Sequence, residues 1–343
     1  MNSQDVIVSS RIRFARNVNN LPFPHLLSGD EPRLKEFLNA VQSVCASKFE
    51  GDIFTAKSMN IGGELYEGAG EYILTMLVEN HLISPSLGRG KLGGAIISKD
   101  KTISVMFNEE DHLREQCILG GFRLKEAYER LLEVDLALHD RLDIAYKKGL
   151  GHLTACPTNL GAGMRASVMM FLPALDLSGD LRRLIKKYAG EDVTIRGVYG
   201  EGSEAKGFMY QISNQAAIGW SEEQIIAKME SVVKELCRLE EQARRAIWDR
   251  KGVDIEDQIM RAYGTLLFAR VLGSDEFMIN IANVKLGVGY GLLKLDIPSI
   301  NRLIPNVLPY TLSVKAGKKL SPHERDIMRA KIVREALIAC KTK

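Results

Sequence analysis

The sequence predicts an α+β region over residues 1–220, followed by an all-α domain over residues 221–343. Three observations carry that prediction. Apolar and polar residues alternate with period two in several short runs of the first part, the pattern of half-buried strands. Val193–Glu204 reads as a strand that ends in glycines with an arginine and a glutamate, and Phe208–Ser213 as its partnering strand, a hairpin-like unit. Beyond Trp220 the apolar spacing becomes helical and stays so. With 343 residues, 45% apolar and 26% charged, the chain can bury a large core, most simply as two domains.

In chain order, Val6, Val8, Ile12 and Phe14 fall on one face of a strand, and Ser9, Arg11 and Arg13 on the other. Asn17–Pro24 breaks into a loop. Leu34–Phe49 has helical periodicity, and Glu71–Val78 is a shorter apolar stretch. Gly88–Gly93 matches G-x-G-x-x-G, but the strand pattern Ala95–Ser98 follows where a dinucleotide fold needs a helix, so that reading is rejected. Thr102–Asn108 is a strand that delivers the acids Glu109, Glu110 and Asp111, with Arg114 just behind. Gly121–Tyr146 reads as one long amphipathic helix with Leu131, Val134, Leu138 and Leu142 inward. His139-Asp140-Arg141 superficially matches a protein-kinase catalytic loop, but it has the wrong order and no D-F-G partner, and it reads as a mid-helix surface feature. Ser221 with Gln224, and Ser321 with Glu324, form capping boxes that start helices. The helical segments run from 221 to about 250, then Ile255–Leu272, Ser274–Leu293 and Ser321–Ala339.

Composition excludes several functions. A net charge of +3 gives no nucleic-acid footprint, and Arg182–Lys187 reads as a solvated helix face. Five scattered cysteines without a C-x-x-C pair read as reduced thiols, not disulfides or a zinc site. No H-x-x-x-H pair, membrane-length apolar run, signal peptide, low-complexity segment or internal repeat is seen, which points to the cytoplasm.

The stretch Gly151–Ser167 holds a cysteine, Cys156, followed by proline, paired glycines and Arg165. Its apolar continuation Val168–Leu172 has the composition of a buried helix, whose start would favour an anion and a nearby thiolate. The alternative is a glycine-rich turn with a packed cysteine. Arginines recur at strand ends and expected helix starts: Arg11, Arg13, Arg114, Arg165 and Arg196. Without a P-loop, this pattern suggests a polyphosphate clamp built from side chains, since guanidinium forks bind phosphate oxygens bidentately. Phosphoryl transfer needs mainly positioning and charge neutralisation. Glu109, Glu110 and Glu201 would then serve a cationic acceptor or a magnesium ion.

Taken together, Ser9-Ser10-Arg11-Ile12-Arg13, Asn108–Arg114, Cys156-Pro157-Thr158-Asn159, Arg165-Ala166-Ser167 and Arg196–Glu201 resemble the catalytic domain of the phosphagen (guanidino) kinase family. The resemblance implies an antiparallel sheet flanked by helices, the fold shared with glutamine synthetase. It implies ATP bound by Arg11, Arg13, Arg114, Arg165 and Arg196. Ser9, Ser10, Ile12, His81, Ala166, Ser167, Val168, Met169, Gly197, Val198, Tyr199, Gly200 and Glu201 would lie around the nucleotide, and magnesium would be held mainly through the phosphates, with no metal-binding side chain assigned. Glu110 and Glu201 would hold the guanidinium and assist its deprotonation, with Cys156 beside it as a thiolate.

The layout resembles the bacterial protein-arginine kinase (McsB) branch of that family over nearly the whole chain. Arginine and creatine kinases carry a small helical domain before the catalytic one. Here the arginine-bearing strand begins almost at Met1, and a helical domain follows the catalytic region instead. Two features depart from the branch's pattern: no short leader helix precedes the first strand, and Ala155 stands where serine is expected. The resemblance implies an allosteric phosphoarginine site at Arg325, Asp326, Arg329 and Ala330. The two arginines are expected to share one helix face, with Asp326 beside them. It also implies arginine-bearing protein substrates, among them the repressor CtsR and proteins destined for the ClpC–ClpP protease, in stress response and protein quality control. An McsA-like activator and a homodimer are implied too, with no direct nucleic-acid or membrane partner. The alternatives are a phosphoarginine-recognising adaptor with little catalysis, and a free-arginine kinase.

Overall fold

The computed structural model describes residues 5–29, 32–55, 69–87, 92–198 and 205–340. In chain order the first elements are β1 (Ile7–Arg16), α1 (Pro32–Lys48), β2 (Gly51–Thr55), α2 (Ala69–Glu79), β3 (Gly94–Ser98), β4 (Ile103–Phe107), β5 (Leu113–Gly120) and α3 (Leu124–His139). A small hairpin of β6 (Tyr146–Lys147) and β7 (Gly151–His152) follows, then β8 (Met164–Phe171), α4 (Pro173–Leu177), α5 (Asp180–Ala189), β9 (Val193–Gly197) and β10 (Met209–Asn214). The rest is helical: α6 (Glu222–Phe268), α7 (Ser274–Gly289), α8 (Ile297–Asn306), α9 (Pro309–Ala316) and α10 (Pro322–Ala339). The main sheet has eight strands in the order β2-β3-β4-β5-β1-β8-β10-β9. The pairings β2·β3, β3·β4, β4·β5 and β1·β5 are antiparallel.

The chain divides into two compact units. One takes the described residues of Ser9–Ser167 and Ser213–Glu230, and the other those of Met1–Val8, Val168–Ile212 and Ser231–Lys343. Helix therefore begins where the capping box at Ser221 predicts, while compaction does not break at that residue. The box itself forms: the Ser221 amide donates to Gln224 Oε1 (2.8 Å) and the Gln224 amide to Ser221 Oγ (3.2 Å). α6 is interrupted by non-helical backbone at Lys251, close to the expected end near residue 250.

In the first unit, strand alternation feeds two apolar layers. Ile96, Val105, Phe107 and Leu113 pack with Phe37 and Val41 of α1 and Val134 and Leu138 of α3. Ala95, Ile97 and Met106 pack with Leu77 of α2 and Leu82, Ile83 and Leu87 after it. The sheet is thus covered on both faces, which is why short strands hold here. In the second unit, Phe171 and Met209 join the inner faces of α6, α7, α8 and α10 in one core. The five cysteines carry free thiols. Arg182, Arg183, Lys186 and Lys187 lie exposed on α5 as a solvated face. Among the described residues no helix is long and apolar enough to cross a membrane.

Two expectations are corrected. Val168–Leu172 is not the start of a helix, because its first four residues belong to β8, which lies between β1 and β10. A short continuous apolar run fits a doubly covered strand as well as a buried helix, and backbone pairing decided for the strand. The helix expected over Gly121–Tyr146 spans only Leu124–His139. After it the chain turns back to bond β1's continuation, with the Ala145 amide to Asn17 O (2.7 Å) and the Asn19 amide to Asp143 O (2.7 Å). His139 is accordingly the last helical residue, and its ring packs edge-on against His152 rather than facing solvent mid-helix.

Candidate active site

The register of β1 and β5 places Ala15 opposite Arg114 and Arg13 opposite Gln116. Arg11, Arg13 and Arg114 therefore share one face of the sheet. Arg165 joins them from β8: burial, then the charges of Arg114 and Arg165, pull the Arg11 pKa down to about 10. Burial and the charges of Arg114, Arg11 and Arg165 likewise pull Arg13 well below its ordinary value. The lowering of Arg11 and Arg13 reflects burial and crowded positive charge, offset in part at Arg13 by Glu109, and an oxyanion would relieve it. Arg11 Nε donates to Ser167 Oγ (3.3 Å) and Arg165 Nη2 to Ser213 Oγ (2.7 Å), so hydroxyls orient the forks without cancelling their charge.

His81 lies over the same face. Gln116 Nε2 donates to the carbonyls of His81 (2.8 Å) and Leu82 (2.9 Å), and Ser104 Oγ donates to Leu82 O (2.7 Å). Burial, then Arg11, lower the His81 pKa to about 4, so its imidazole is neutral at physiological pH.

Strand alternation divides the expected nucleotide-binding runs. Ser9, Arg11 and Arg13 share the clamp face, whereas Ser10 and Ile12 are fully buried on the other. Ser10 Oγ donates to Gly121 O (2.8 Å) and accepts from the Arg123 amide (2.8 Å), which commits it to a turn. In β8, Ala166 and Val168 are fully buried, and Met169 is half-buried. Arg196 is exposed near the end of β9, with Gly197 and Val198 half-buried after it. Tyr199, Gly200 and Glu201 lie outside the described residues.

The three acids between β4 and β5 differ in what they do. Glu109 accepts from Ser84 Oγ (2.6 Å) and from Arg114 Nη1 (3.2 Å). Burial works against its charge, but Arg114 and the Ser84 hydroxyl outweigh that and hold its pKa low. Glu110 is exposed, and burial of its carboxyl followed by the charges of Asp111 and Glu109 raise its pKa. A raised carboxylate suits proton acceptance. Asp111 is buried and accepts from Asn17 Nδ2 (2.6 Å) and from the Ala155 amide (2.7 Å).

That last bond brings the cysteine loop to the acids. Asp111 grips Ala155, the residue between Thr154 and Cys156, through its amide, a contact that alanine makes as well as serine would. Asn17 Nδ2 also donates to Leu153 O (3.0 Å). Cys156 is partly exposed at a tight turn, closed by the Asn159 amide to Cys156 O (3.0 Å), and its Sγ lies 3.0 Å from Thr158 Oγ1. Extended backbone of β8 takes the place of the helix start expected after Cys156.

The C-terminal motif sits on α10, whose capping box forms as expected: the Ser321 amide donates to Glu324 Oε2 (2.8 Å) and the Glu324 amide to Ser321 Oγ (3.3 Å). Arg325 and Arg329 do not present alike. Arg329 is 1% exposed and donates to Val307 O (3.0 Å), Leu272 O (2.8 Å) and Asp326 Oδ1 (2.5 Å). Arg325 and Asp326 are half-buried, and Ala330 is buried. Residues that sequence reasoning missed are the orienting ones: Ser84, Gln116, Ser213 and Asn17. Gln116 lies mid-strand in β5, Ser84 in the loop after α2, Ser213 near the end of β10 and Asn17 directly after β1, and a lone polar residue at such places is too common to single them out.

Residues 58–243 match the family model described as ATP:guanido phosphotransferase, C-terminal catalytic domain, and residues 252–343 match that of the protein-arginine kinase McsB C-terminal domain. The join falls at the Lys251 interruption of α6. The chain is 42% identical over 344 residues to a protein-arginine kinase of Symbiobacterium thermophilum, covering 98% of this chain and 94% of that one. It is 39% identical over 345 residues to that of Bacillus subtilis, covering 97% and 90%. Among solved structures, the substrate-free duplicated taurocyamine kinase of Schistosoma mansoni superposes with a TM-score of 0.56 at 28% identity, over 68% of this chain and 33% of that one. A lombricine kinase superposes with a TM-score of 0.58 at 24% identity, over 72% and 68%, a likeness of fold.

Proposed function

We infer that this chain, a member of the ATP:guanido phosphotransferase family and within it of the protein-arginine kinases, transfers the γ-phosphoryl group of ATP to arginine side chains of proteins. The observation that carries the reading is the convergence of Arg11, Arg13, Arg114 and Arg165 beside a neutral His81 and an acidic rim. Arg11 and Arg13, depressed by burial and by the neighbouring Arg114 and Arg165, fit a triphosphate. Arg196 is assigned to the same clamp by its motif. Magnesium, carried in on the phosphates, would neutralise the charge shared by the β- and γ-oxygens.

On the acceptor side, Glu110 and Glu201 hold the substrate guanidinium by charge-assisted hydrogen bonds. Glu110, with its raised pKa, is suited to take the proton that the attacking nitrogen loses. Cys156, joined to the acids through Asp111 and Ala155, stands beside the same nitrogen group. The arginines meanwhile meet the charge that spreads over the phosphoryl oxygens.

In this reading residues 1–220 form the catalytic domain and 221–343 a helical regulatory domain, in a cytoplasmic homodimer. Its substrates are arginine-bearing proteins, among them a CtsR-like repressor and clients of a ClpC–ClpP-type protease, with an McsA-like activator. Arg325 and Asp326 would receive phosphoarginine, whose phosphoryl group suits a guanidinium and whose nitrogens suit a carboxylate. Arg329, spent on the Leu272 and Val307 carbonyls, would shape that site rather than touch the ligand. Stimulation by free phosphoarginine in wild type, abolished in Arg325→Ala/Asp326→Ala, is the expected result, and equal stimulation in both places regulation elsewhere.

The kinase reading itself is tested by incubation with ATP and an arginine-rich protein, followed by mass spectrometry. Acid-labile phosphate on arginine is expected, and phosphate on free arginine with equal kcat/KM would make this a metabolic kinase instead. No transfer at all, with phosphoarginine still bound, would leave an adaptor.

A further inference from the structure

Arg16 follows the clamp arginines on β1 but faces the other way. It lies opposite Leu113, on the face that carries α3. Only 1% of it is exposed. Its Nε and Nη2 donate to Asp135 Oδ1 and Oδ2 of α3, both at 3.0 Å, in a bidentate fork. Its Nη1 spans Ala162 O (3.1 Å), Ala15 O (3.2 Å) and Gly163 O (3.4 Å), and Nη2 lies 3.6 Å from Glu222 Oε1 at the start of α6.

The carbonyls so gripped close the loop that carries Cys156. That loop is pinned at its other side by Asn17 on Leu153 O and by Asp111 on the Ala155 amide. Its two ends are bonded to each other, with the His152 amide to Gly161 O at 2.8 Å. Arg16 thus supplies the fastening on the C-terminal side, two residues before Arg165.

Gly163 shows that the turn is fitted to the guanidinium. A Cβ there would lie 2.4 Å from Arg16 Nη1 and 2.8 Å from Ala15 O, at a φ of +61° that side chains seldom adopt. A buried ion pair is by itself weak support for stability, since apolar replacements are often as stable. What an apolar replacement cannot do is fix two loop carbonyls, a strand end and a helix carboxylate at once. The fork geometry that does so belongs to arginine and not to lysine.

We propose that Arg16 is a positioning residue for phosphotransfer: gripping the Ala162–Gly163 turn, it sets where Cys156 and Arg165 stand relative to the acceptor and the phosphates. The proposal rests on the kinase reading above, with Cys156 at the acceptor. Arg16 touches neither substrate, so its removal alters placement while leaving the clamp's charge intact.

The test compares wild type with Arg16→Lys, which keeps the charge and loses the fork, and with Gly163→Ala, which displaces the guanidinium from the other side. Three quantities are read on the full-length protein: kcat and KM for ATP and an arginine-rich protein, ATP dissociation constant, and alkylation rate of Cys156 by iodoacetamide, followed on its peptide. Misplacement of about an ångström costs on the order of tenfold to a hundredfold in turnover. Both variants are therefore expected to lose kcat in that range, with ATP affinity within about threefold of wild type and a Cys156 alkylation rate shifted severalfold. If Arg16→Lys does not accumulate as folded protein, Gly163→Ala carries the same expectation. Normal kcat and normal Cys156 alkylation in the folded variants, with only a lowered melting temperature, overturn the proposal and leave Arg16 structural. A wild-type protein that makes no phosphoarginine overturns the kinase reading, and this proposal with it.

Discussion

Two groups of poorly exposed arginines in this protein behave in opposite ways. On the clamp face, Arg11 and Arg13 crowd against Arg114 and Arg165, and their pKa values fall. Beneath the helices of the other unit, Arg244 is answered by Glu240 Oε1 (2.7 Å) and by Asp5; burial works against its charge, but those acids outweigh it and its pKa rises. Glu240 in turn accepts the amides that open α4, from Ala174 (3.1 Å) and Leu175 (3.0 Å). The backbone of Gly289 approaches so closely that a Cβ would lie 2.6 Å from Asp5 and 2.7 Å from Arg244. The first group is the more open, arginine crowding arginine with Glu109 paired to Arg114 at 3.2 Å, and the second is closed by acids. Burial alone therefore does not tell an arginine crowded by its own kind from one answered by acids; at Arg11, Arg13 and Arg244 the direction of the shift does.

The largest expected effect on stability is at the closed group. Arg244→Met strands Glu240 and Asp5 and should lower the unfolding free energy by about 3–5 kcal/mol, read by denaturant titration. A loss no larger than that of a surface substitution would mean that the network is not a brace. At the open group the loss should be in chemistry. Arg165→Ala should lower kcat/KM by about a hundredfold to a thousandfold, and Arg165→Lys should not restore it, because a point charge lacks the bidentate fork. A lysine variant with normal kinetics would show that geometry at this position is unimportant.

A smaller effect comes from Lys285, fully buried beside the closed group. Its Nζ donates to Asn301 Oδ1 (2.9 Å) and lies 4.7 Å from the Phe171 ring centre. Burial pulls its pKa down to about 7; Asp5 works to raise it and Arg244 to lower it further. The folded form thus binds fewer protons than the unfolded form between about pH 7 and the ordinary lysine value. The destabilisation from this lysine is full below about pH 7 and fades as pH rises through that window. Lys285→Met should gain more stability relative to wild type at pH 6 than at pH 9, and a pH-independent difference would contradict the lowered pKa.

The shared face of Ser9, Arg11 and Arg13 was legible in the sequence because strand alternation produces it whatever the partner strands are. The motif order then supplied Arg114 and Arg165. The helix starting at Ser321 was legible for a similar reason, since its capping box is local chemistry. What failed was non-local. Val168–Phe171 is a strand because β1 and β10 take up its backbone, and the helix expected to reach Tyr146 stops at His139 because residues 143–145 bond to Asn17 and Asn19. Arg329 shares a helix with Arg325 as the sequence predicts, but its bonds to carbonyls 57 and 22 residues away along the chain are not readable from that spacing. Arg16, five residues beyond Arg11, carries no mark that separates it from the clamp until Asp135 is seen beside it.

The contrast between open and closed arginines is tested most directly by thermal unfolding of wild type and Arg11→Met, each with and without ATP and magnesium. Removing one of several crowded charges should leave the ligand-free protein as stable as wild type or more so, while the upward shift in melting temperature on adding ATP is largely lost. A ligand-free Arg11→Met that is destabilised as Arg244→Met is, with its ATP-induced shift intact, would contradict the account.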